Sequence, residues 1–325
     1  MMNETNQRLA YLAHVASLYY DHGKNQQDIA DELKITRSAV SRLLTEARQK
    51  GIVEIKINYP WQTNLELEKA LLAKFKLKAA RVLKRENKSY TEMLDGLGRL
   101  AAQYFLSILG NDMIVGISWG SALGAMIKVL RVESPPKNIE VVQLLGATGS
   151  EKIAQQDGPL LAQMLSEALS CPCRYLHAPL IVDNPTGRET LMQDRSIRET
   201  LMRAEQSEIA LVGIGSTDPE LNSLLRAGYI DRREVVEIIN KGAVGDVCAH
   251  HFDIYGNYLD IDINKRIVGI IVNTLFKIPT VIGVAGDIRK SSAILGALRG
   301  NYINVLITDD EAAQQVLELN DLITN

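Results

Sequence analysis

In the first sixty residues, hydrophobic positions recur three and four residues apart, which is the spacing of amphipathic helices. The elements predicted there are helices over 5–20, 26–33 and 36–49 and a strand over 53–58. Gly23 and Gly51 follow the first and third helices, and Asn25 is placed to cap the second. We therefore expect one compact module made of three helices and a short strand.

After residue 60 the pattern changes to short apolar runs that alternate with helical stretches. The predicted strands are 79–83, 113–117, 140–145, 209–214, 267–271, 280–284 and 303–307. The predicted helices are 65–75, 90–109, 121–130, 159–169, 232–240, 291–298 and 311–319. Several runs are rich in Val and Ile and nearly free of charge, which is typical of strands buried on both faces. Strands that alternate with helices predict a mostly parallel α/β domain.

The change of pattern near Pro60 gives the predicted domain boundaries. We expect a first domain over 1–59 and a second over 79–325. A linker over 60–78, which contains the amphipathic helix, is predicted to connect them. The sequence shows no internal repeat and no low-complexity tract.

Composition and charge narrow the class of protein. The chain has 325 residues, of which 46% are hydrophobic and 23% charged, as is ordinary for a globular protein with a full core. Its formal net charge is -3, but DNA binding depends on a local surface, so a mildly acidic whole does not exclude it. No apolar run approaches the roughly 20 residues of a membrane span, and the start lacks the layout of a secretory signal. With only 3 cysteines, we expect a cytoplasmic protein without membrane partner, metal or cofactor.

Residues 26–49 have the spacing of a helix-turn-helix motif, whose second helix enters the major groove of DNA. Ile29 supplies part of the buried face of the first helix, and Val40 and Leu43 pack the second helix against it. Lys34 stands in the turn, where glycine is more usual. We expect this lysine in a left-handed or otherwise adjusted conformation, at some cost in strain.

The second helix of this motif is polar on its outer face. Reading DNA needs hydrogen-bond donors near the start of that helix, where side chains reach base edges. The residues predicted to contact DNA are Gln26, Thr36, Arg37, Ser38, Ser41 and Arg42. Lys50 and Lys56 are placed to reach backbone phosphates. Two alternatives remain open, namely the solvated face of an ordinary three-helix bundle and a protein-binding winged module.

Several stretches together resemble the SorC family of bacterial transcription regulators. In the first domain they are QQDIADEL over 26–33 and TRSAVSRLL over 36–44. In the second they are GISWGSAL over 116–123, the stretch 245–256 that begins GDV, and the stretch 284–294 that begins VAG. Asp287 stands where the family has a second glycine. The resemblance implies a sugar-binding effector domain, related in fold to sugar-phosphate isomerases, and assembly commonly as tetramers.

Glycine-containing turns follow several of the predicted strands, as expected for a ligand site at the carboxyl ends of a parallel sheet. Glycines let the backbone approach an anion, hydroxyls donate, and the amides of a helix N-terminus point at it. Lys290 would add a cation, in agreement with the family pattern, and Asp246 would accept hydrogen bonds from sugar hydroxyls. The predicted effector-binding residues are Ser118, Trp119, Gly120, Ser121, Gly146, Thr148, Gly149, Gly215, Asp246 and Lys290.

These features predict a DNA-binding regulator of a carbohydrate-utilisation operon, controlled by a sugar effector that is phosphorylated. Its partners would be operator DNA, the sugar or sugar phosphate, and further copies of the chain in a dimer or tetramer. The alternative is a sugar-phosphate isomerase-like enzyme with an accessory N-terminal module. An isomerase needs a positioned general base, and no clear acid/base pair is found, so no catalytic residue is assigned. The adjacent His250 and His251, and the Cys171–Cys173 pair, are interpreted as structural.

Overall fold

The computed structural model describes residues 4–53 and 61–324. The chain divides into two compact units, Met1–Pro60 and Trp61–Asn325. Within the described ranges, no helix combines the length and the apolar character that crossing a bilayer requires.

The first unit is built from helices that bury one face each. They are α1 (Glu4–Tyr20), α2 (Gln26–Leu33) and α3 (Arg37–Gln49). Asn25 caps α2 by accepting hydrogen bonds from the N–H groups of Gln27 and Asp28, and the Asp28 carboxylate accepts the Asn25 N–H. The shared core contains Leu12, Val15, Ala16, Leu18, Ile29, Ala30, Val40, Leu43, Leu44 and Ala47. The three-and-four spacing of apolar residues in α1 would also place Ala13 on its buried face, but Ala13 is exposed and Val15 is buried.

The turn between α2 and α3 has the predicted conformation. Lys34 adopts φ 53° and ψ 44°, in the left-handed region, and its N–H donates to the Ala30 carbonyl. Thr36 caps α3, because its hydroxyl accepts the Ala39 N–H at 3.2 Å. The strand predicted over 53–58 falls outside the described residues beyond Val53, and so does Lys56.

The second unit is centred on one sheet. Its strands are β1 (Ala79–Leu83), β2 (Ile114–Ile117), β3 (Glu140–Gln143), β4 (Cys173–Arg174), β5 (Ile209–Ser216), β6 (Gly245–Val247), β7 (His250–Phe252), β8 (Thr280–Val284) and β9 (Val305–Asp309). The parallel strands lie in the order β1-β9-β8-β5-β2-β3-β4, and the hairpin β6–β7 pairs with the end of β5. The predicted mostly parallel α/β domain is confirmed.

Helices connect these strands and cover both faces of the sheet, as parallel strands require. They are α4 (Leu65–Lys74), α5 (Tyr90–Ile108), α6 (Ser121–Val129), α7 (Gly158–Leu169), α8 (Pro185–Gln193), α9 (Arg195–Ala204), α10 (Ser223–Ala227), α11 (Arg232–Asn240), α12 (Asp262–Arg266), α13 (Ser291–Arg299) and α14 (Asp310–Thr324). Two large apolar clusters result. One contains Leu97, Leu123 and Leu165 from α5, α6 and α7, and the other contains Ile294 and Ala312 from α13 and α14.

One predicted strand is wrong. The apolar run 267–271 is irregular and makes only isolated bridges, from Ile267 to Ile181 and from Gly269 to Leu145. Its hydrophobicity comes from burial, since Ile267 and Val268 are fully buried without belonging to a ladder. Periodicity reports burial, and here burial does not require a strand.

The outer edge of β1 is covered by the chain that follows the first unit. The N–H of Lys84 donates to the Gln62 carbonyl, and the N–H of Asn64 donates to the Val82 carbonyl, both at 2.8 Å. Beyond this short pairing, the buried Glu68 accepts the Val82 N–H at 3.0 Å. The exposed donors of the edge strand are therefore satisfied within the chain.

Candidate functional site

The outer face of α3 carries the side chains predicted to read DNA. Arg37, Ser38, Ser41 and Arg42 are all exposed, whereas the opposite face of the helix is buried. The Arg42 Nε donates to the Ser38 carbonyl at 3.4 Å, which lays its side chain along the helix surface. The face therefore presents two guanidinium groups and two hydroxyls within the first two turns.

The remaining residues predicted for this surface lie at its borders. Thr36 uses its hydroxyl as the helix cap and also contacts the Ser38 hydroxyl at 3.0 Å. Gln26 is the first residue of α2 and is half-buried. Lys50 ends α3 and forms an ion pair with Glu46. Thr36 and Lys50 thus already have structural roles, and a contact with DNA would be an additional role for each.

In the second unit, a narrow cavity lies at the carboxyl ends of β2, β5 and β8. The chain passes from β2 outward to β3, and from β5 outward to β8 on the other side, so the order of the strands reverses between β2 and β5. Such a reversal leaves a crevice where ligands of open α/β sheets bind. The predicted site residues that line this cavity are Ser118, Trp119, Gly120, Ser121, Gly215, Asp246 and Lys290.

The turn from β2 into α6 forms one wall. Gly120 has φ 120° and ψ 164°, a conformation that only glycine adopts readily, and it brings the N-terminus of α6 to the cavity. Ser118 is buried, and its hydroxyl accepts the Gly213 N–H at 3.4 Å, which ties this turn to β5. The first amides of α6 have no side-chain cap. They form an uncapped helix N-terminus that favours an anion.

Asp246 enters the cavity from β6, opposite the end of β5. Gly215 is its partner in the antiparallel register, and a Cβ atom at Gly215 would lie 1.9 Å from Asp246 Oδ1. Burial raises the pKa of Asp246, although the charges of His251 and Lys290 act in the opposite direction. A carboxyl group in this state can exchange hydrogen bonds with hydroxyl groups as acceptor or as donor.

Lys290 approaches the same point from the start of α13. Its Nζ donates to the Ile214 carbonyl at 2.7 Å, so the ammonium group is held at the end of β5. Burial lowers the pKa of Lys290 to about 8, while the charge of Asp246 opposes this shift. The amine therefore titrates near neutral pH, and a bound anion would favour its charged form.

Asp287, which replaces the family glycine, keeps a glycine-like backbone with φ 90°. Its N–H donates to Asp309 Oδ2 at 2.6 Å, and its carboxylate accepts from Arg289 Nε at 2.8 Å. Burial alone would raise the pKa of Asp287, but Arg289 and Arg85 outweigh it, and the pKa is lowered. The ion pairs around Asp287 stabilise this strained turn, whose backbone path the sequence did not determine.

Two residues at the cavity escaped the sequence analysis. Tyr90 begins α5 and lines the cavity, and burial raises its pKa while the neighbouring Ser121 hydroxyl acts in the opposite direction. Arg226 of α10 donates to the Ser223 hydroxyl at 3.3 Å, but its buried Nε has no hydrogen-bond partner among the described residues. The Arg226 charge acts on the pKa values of both Lys290 and Tyr90, so this cation lies close to the cavity. Neither residue belongs to a glycine-containing turn, and the fold brings Tyr90 to the cavity and Arg226 close to it.

The turn after β3 is not part of this cavity. Gly146, Thr148 and Gly149 do not line it. Instead, the N–H groups of Thr148 and Gly149 donate to the two oxygens of the Asp157 carboxylate at 2.9 and 3.2 Å. An internal carboxylate therefore uses the donors that the sequence offered to a ligand.

The histidines and cysteines have structural surroundings. His250 and His251 are buried in β7, where the first contacts the Cys248 carbonyl and the second contacts Asn264. Cys171 and Cys173 are half-buried thiols, and burial raises the pKa of each. Among the residues that the structure describes, no group of three or more metal-ligating side chains is placed to hold a metal ion.

Comparisons with known proteins agree with the two-unit architecture. A family model described as "Putative sugar-binding domain" matches residues 59–318, and a model of sigma-70 region 4, which is a helix-turn-helix segment, matches residues 13–50. The chain is 34% identical over 321 residues to the deoxyribonucleoside regulator of Bacillus subtilis (strain 168), covering 99% of this chain and 100% of that protein.

Two further relatives extend this result. The transcriptional regulator LsrR of Enterobacter sp. (strain 638) is 32% identical over 310 residues, covering 95% of this chain and 93% of that protein. The crystal structure of the full-length sorbitol operon regulator SorC from Klebsiella pneumoniae superimposes with a TM-score of 0.71 at 32% identity, covering 95% of this chain and 99% of that chain. These relatives are transcription regulators and not enzymes. The chain therefore belongs to the SorC family of bacterial transcription regulators, with a helix-turn-helix unit that binds DNA and a domain that binds a sugar effector.

Proposed function

We propose that this protein regulates a carbohydrate-utilisation operon by binding operator DNA through α3, and that a phosphorylated sugar in the β2–β5–β8 cavity controls this binding. The observation that carries the proposal is the meeting of an uncapped helix N-terminus, a carboxyl group and a lysine in one cavity, at the strand reversal. The B. subtilis and K. pneumoniae relatives, named for a deoxyribonucleoside and for sorbitol, support a sugar as effector.

The effector's phosphate would bind at the start of α6. The backbone amides there and the Ser121 hydroxyl supply donors, while Lys290 and Arg226 supply positive charge. Asp246 would bind the sugar hydroxyls, and Trp119, which is mostly buried in the wall, would limit the size of the carbon skeleton. Gly215 belongs to the site because it makes room for Asp246.

On the DNA side, Arg37 and Arg42 would read bases or phosphates, with Ser38 and Ser41 between them. Gln26 and Thr36 would contact the backbone from the adjoining helix ends. One such motif covers too little DNA for a selective site, so we expect a dimer or tetramer that binds two half-sites. The protein would act in the cytoplasm, where operator DNA and sugar phosphates are both present.

The test is a screen for ligands followed by a test for response. Thermal unfolding is measured with ribose 5-phosphate, deoxyribose 5-phosphate, glucose 6-phosphate and sorbitol 6-phosphate, each beside its unphosphorylated sugar. A ligand that binds only the folded state raises Tm, and we expect this for a phosphorylated member of a pair. The same compound should then change the affinity for a duplex that the protein selects from a random pool. If the unphosphorylated sugar raises Tm as much as its phosphate ester does, the effector does not need a phosphate group.

A further inference from the structure

Within the second unit, helix α5 lies between the cavity and residues 61–64, with which this unit begins. Tyr90 and Leu94 both line the cavity, and since they are four residues apart they share one side of the helix. Gly96 follows two residues later and faces away from them, because successive residues are about 100° apart around a helix. The cavity and the surroundings of Gly96 therefore lie on nearly opposite sides of α5.

Trp61, the first residue of the second unit, is seated on Gly96. A Cβ atom at Gly96 would lie 2.8 and 2.9 Å from Cζ3 and Cε3 of the indole ring, so the ring rests directly on the helix backbone. Lys88, in the turn before α5, contacts the same ring at 5.7 Å. No flexible side chain separates the ring from the helix at this point. Since close-packed interiors transmit strain, we expect a movement of α5 to displace the indole ring.

The backbone next to Trp61 is fastened as well. Gln62 and Asn64 form the hydrogen bonds with β1 described above, and Thr63 forms an antiparallel bridge with Leu83. Leu83 also packs on Gly96, at 2.7 Å from an added Cβ atom. The chain that leads out of the first unit is thus joined to α5 by a ring contact and to β1 by a short strand pairing.

The opposite wall of the cavity rests on α5 too. A Cβ atom at Gly286, which lines the cavity, would lie 2.6 Å from Leu97 Cδ1 and 2.8 Å from Met93 Sδ. The turn that precedes Lys290 therefore packs against the first two turns of α5. Met93 and Leu97 follow Tyr90 by three and seven residues and therefore share its side of α5, so a ligand that moves either wall acts on this one side of the helix.

We propose that α5 and Trp61 connect the effector cavity to the DNA-binding unit, with Trp61 as the positioning residue that carries the response. The inference rests on the proposed function, because it takes the cavity as the effector site. Effector binding shifts α5, Trp61 follows, and residues 61–64 at the start of the second unit move with it. The size of the response is limited by how differently the effector binds the two arrangements.

The experiment uses the full chain, the selected duplex and the sugar phosphate that raises the wild-type Tm most. Variants are Trp61→Ala, Trp61→Phe, and Leu72→Ala as a control, since Leu72 is an exposed apolar residue of α4. Three quantities are measured: the effector concentration at half-maximal Tm shift, the operator Kd without effector, and the change in Kd that the effector causes. A merely structural role would move the first two.

For Trp61→Ala we expect the first two quantities within threefold of wild type and an effector-induced change in operator Kd below twofold. Trp61→Phe keeps a ring on Gly96, so the logarithm of its effector-induced change in operator Kd should be at least half of the wild-type value. Leu72→Ala should show the full wild-type change. A wild-type response in Trp61→Ala would overturn the inference and leave the proposed effector site intact. If no sugar phosphate shifts the wild-type Tm, the proposed function fails, and this inference fails with it.

A second measurement covers the case in which Trp61→Ala does not fold. The chain has 2 tryptophans, so Trp119→Phe leaves Trp61 as the single tryptophan, whose emission is excited selectively at wavelengths that tyrosine does not absorb. At effector concentrations that raise the Tm of this variant, the emission of Trp61 should change with the same midpoint as the Tm shift. A Tm shift without any change in Trp61 emission would contradict the proposal.

Discussion

Gly215 and Asp246 face each other across the β5–β6 pairing so closely that a methyl group on the glycine would lie 1.9 Å from the carboxylate. The position of the Asp246 carboxyl group is therefore determined by the absence of a side chain on its partner. Gly215→Ala must displace Asp246 from the cavity or distort the hairpin.

We expect Gly215→Ala to weaken the sugar phosphate at least tenfold and to lower the free energy of unfolding by about 1–3 kcal/mol through overpacking. Gly187→Ala is the matched control, because an added Cβ atom there meets only Asn184 Oδ1, at 3.5 Å. Thermal shift titrations of both variants make the comparison. Unchanged effector affinity in Gly215→Ala would show that Asp246 does not bind the sugar.

Effector binding should depend on pH through Lys290. Its pKa of about 8 means that the charged fraction falls from about nine-tenths at pH 7 to about one-tenth at pH 9. A phosphate monoester is already a dianion over this range, since its second pKa is about 6. We expect the affinity of the wild type for the sugar phosphate to fall about tenfold between pH 7 and 9. The affinity of Lys290→Met should be lower and should not change with pH over this range.

Lys290 should also make the stability of the folded protein depend on pH, and this stability should rise with pH where the effector affinity falls. Its folded-state pKa lies below the unfolded value of about 10.4, so the unfolded chain binds more protons between these two values. The contribution of Lys290 to stability without effector should therefore rise as the pH rises from 8 to 10. Chemical unfolding of wild type and Lys290→Met across this window measures the difference, and parallel curves would assign Lys290 an unperturbed pKa.

Removing an arginine from the outer face of α3 should weaken DNA binding and leave the fold intact. Arg37→Ala and Arg42→Ala are each expected to cost about 1–3 kcal/mol of operator affinity if the guanidinium reads a base. Wild-type binding should also weaken steeply with salt. Arg195→Ala, which removes an arginine from an exposed position on α9, serves as control. If both α3 variants bind the duplex as wild type does, α3 is not the recognition helix.

The left-handed turn residue gives a prediction about stability. Lys34→Gly removes the strain of φ 53° but adds conformational freedom to the unfolded chain. Because the relief of strain is the larger effect, we expect the free energy of unfolding to increase by about 0.5–1 kcal/mol. Lys50→Gly should give no gain, because Lys50 ends α3 with φ -88°. Calorimetry of both variants provides the test, and a loss of stability in Lys34→Gly would mean that the left-handed conformation is not strained.

Assembly is tested by sedimentation. We expect a species of two or four chains at micromolar concentration, in contrast to the 36.0 kDa of a single chain. A single-chain species that still binds its operator tightly would contradict the half-site argument.

Local signals made the first unit largely predictable. The caps Asn25 and Thr36, the turn at Lys34 and the apolar stripe of α3 are each determined by residues within one or two turns of one another. In the second unit the strand–turn–helix around Gly120 was predictable for the same reason. The buried strand β8 and the amphipathic helix α11 were also found where the sequence indicated them.

The features that were missed depend on tertiary contacts. The hairpin β6–β7 has three residues in each strand, which is too short for a periodicity to appear. Tyr90 lines the cavity and Arg226 lies close to it only because the fold brings parts of α5 and α10 to the same place. The run 267–271 was assigned to a strand because its residues are buried, and the sequence does not reveal that they lack a partner strand.

The Asp157 carboxylate has a consequence for the kinds of sugar that this domain tolerates. It occupies the amides of Thr148 and Gly149, in the turn after β3, next to the β2 turn in the sheet. The donors of this turn are thus satisfied from within the chain, whereas the first amides of α6 have no side-chain cap. If the effector's phosphate binds at α6 as proposed, a second phosphate group placed towards β3 would meet the Asp157 carboxylate, so we expect sugar monophosphates to bind more tightly than bisphosphates.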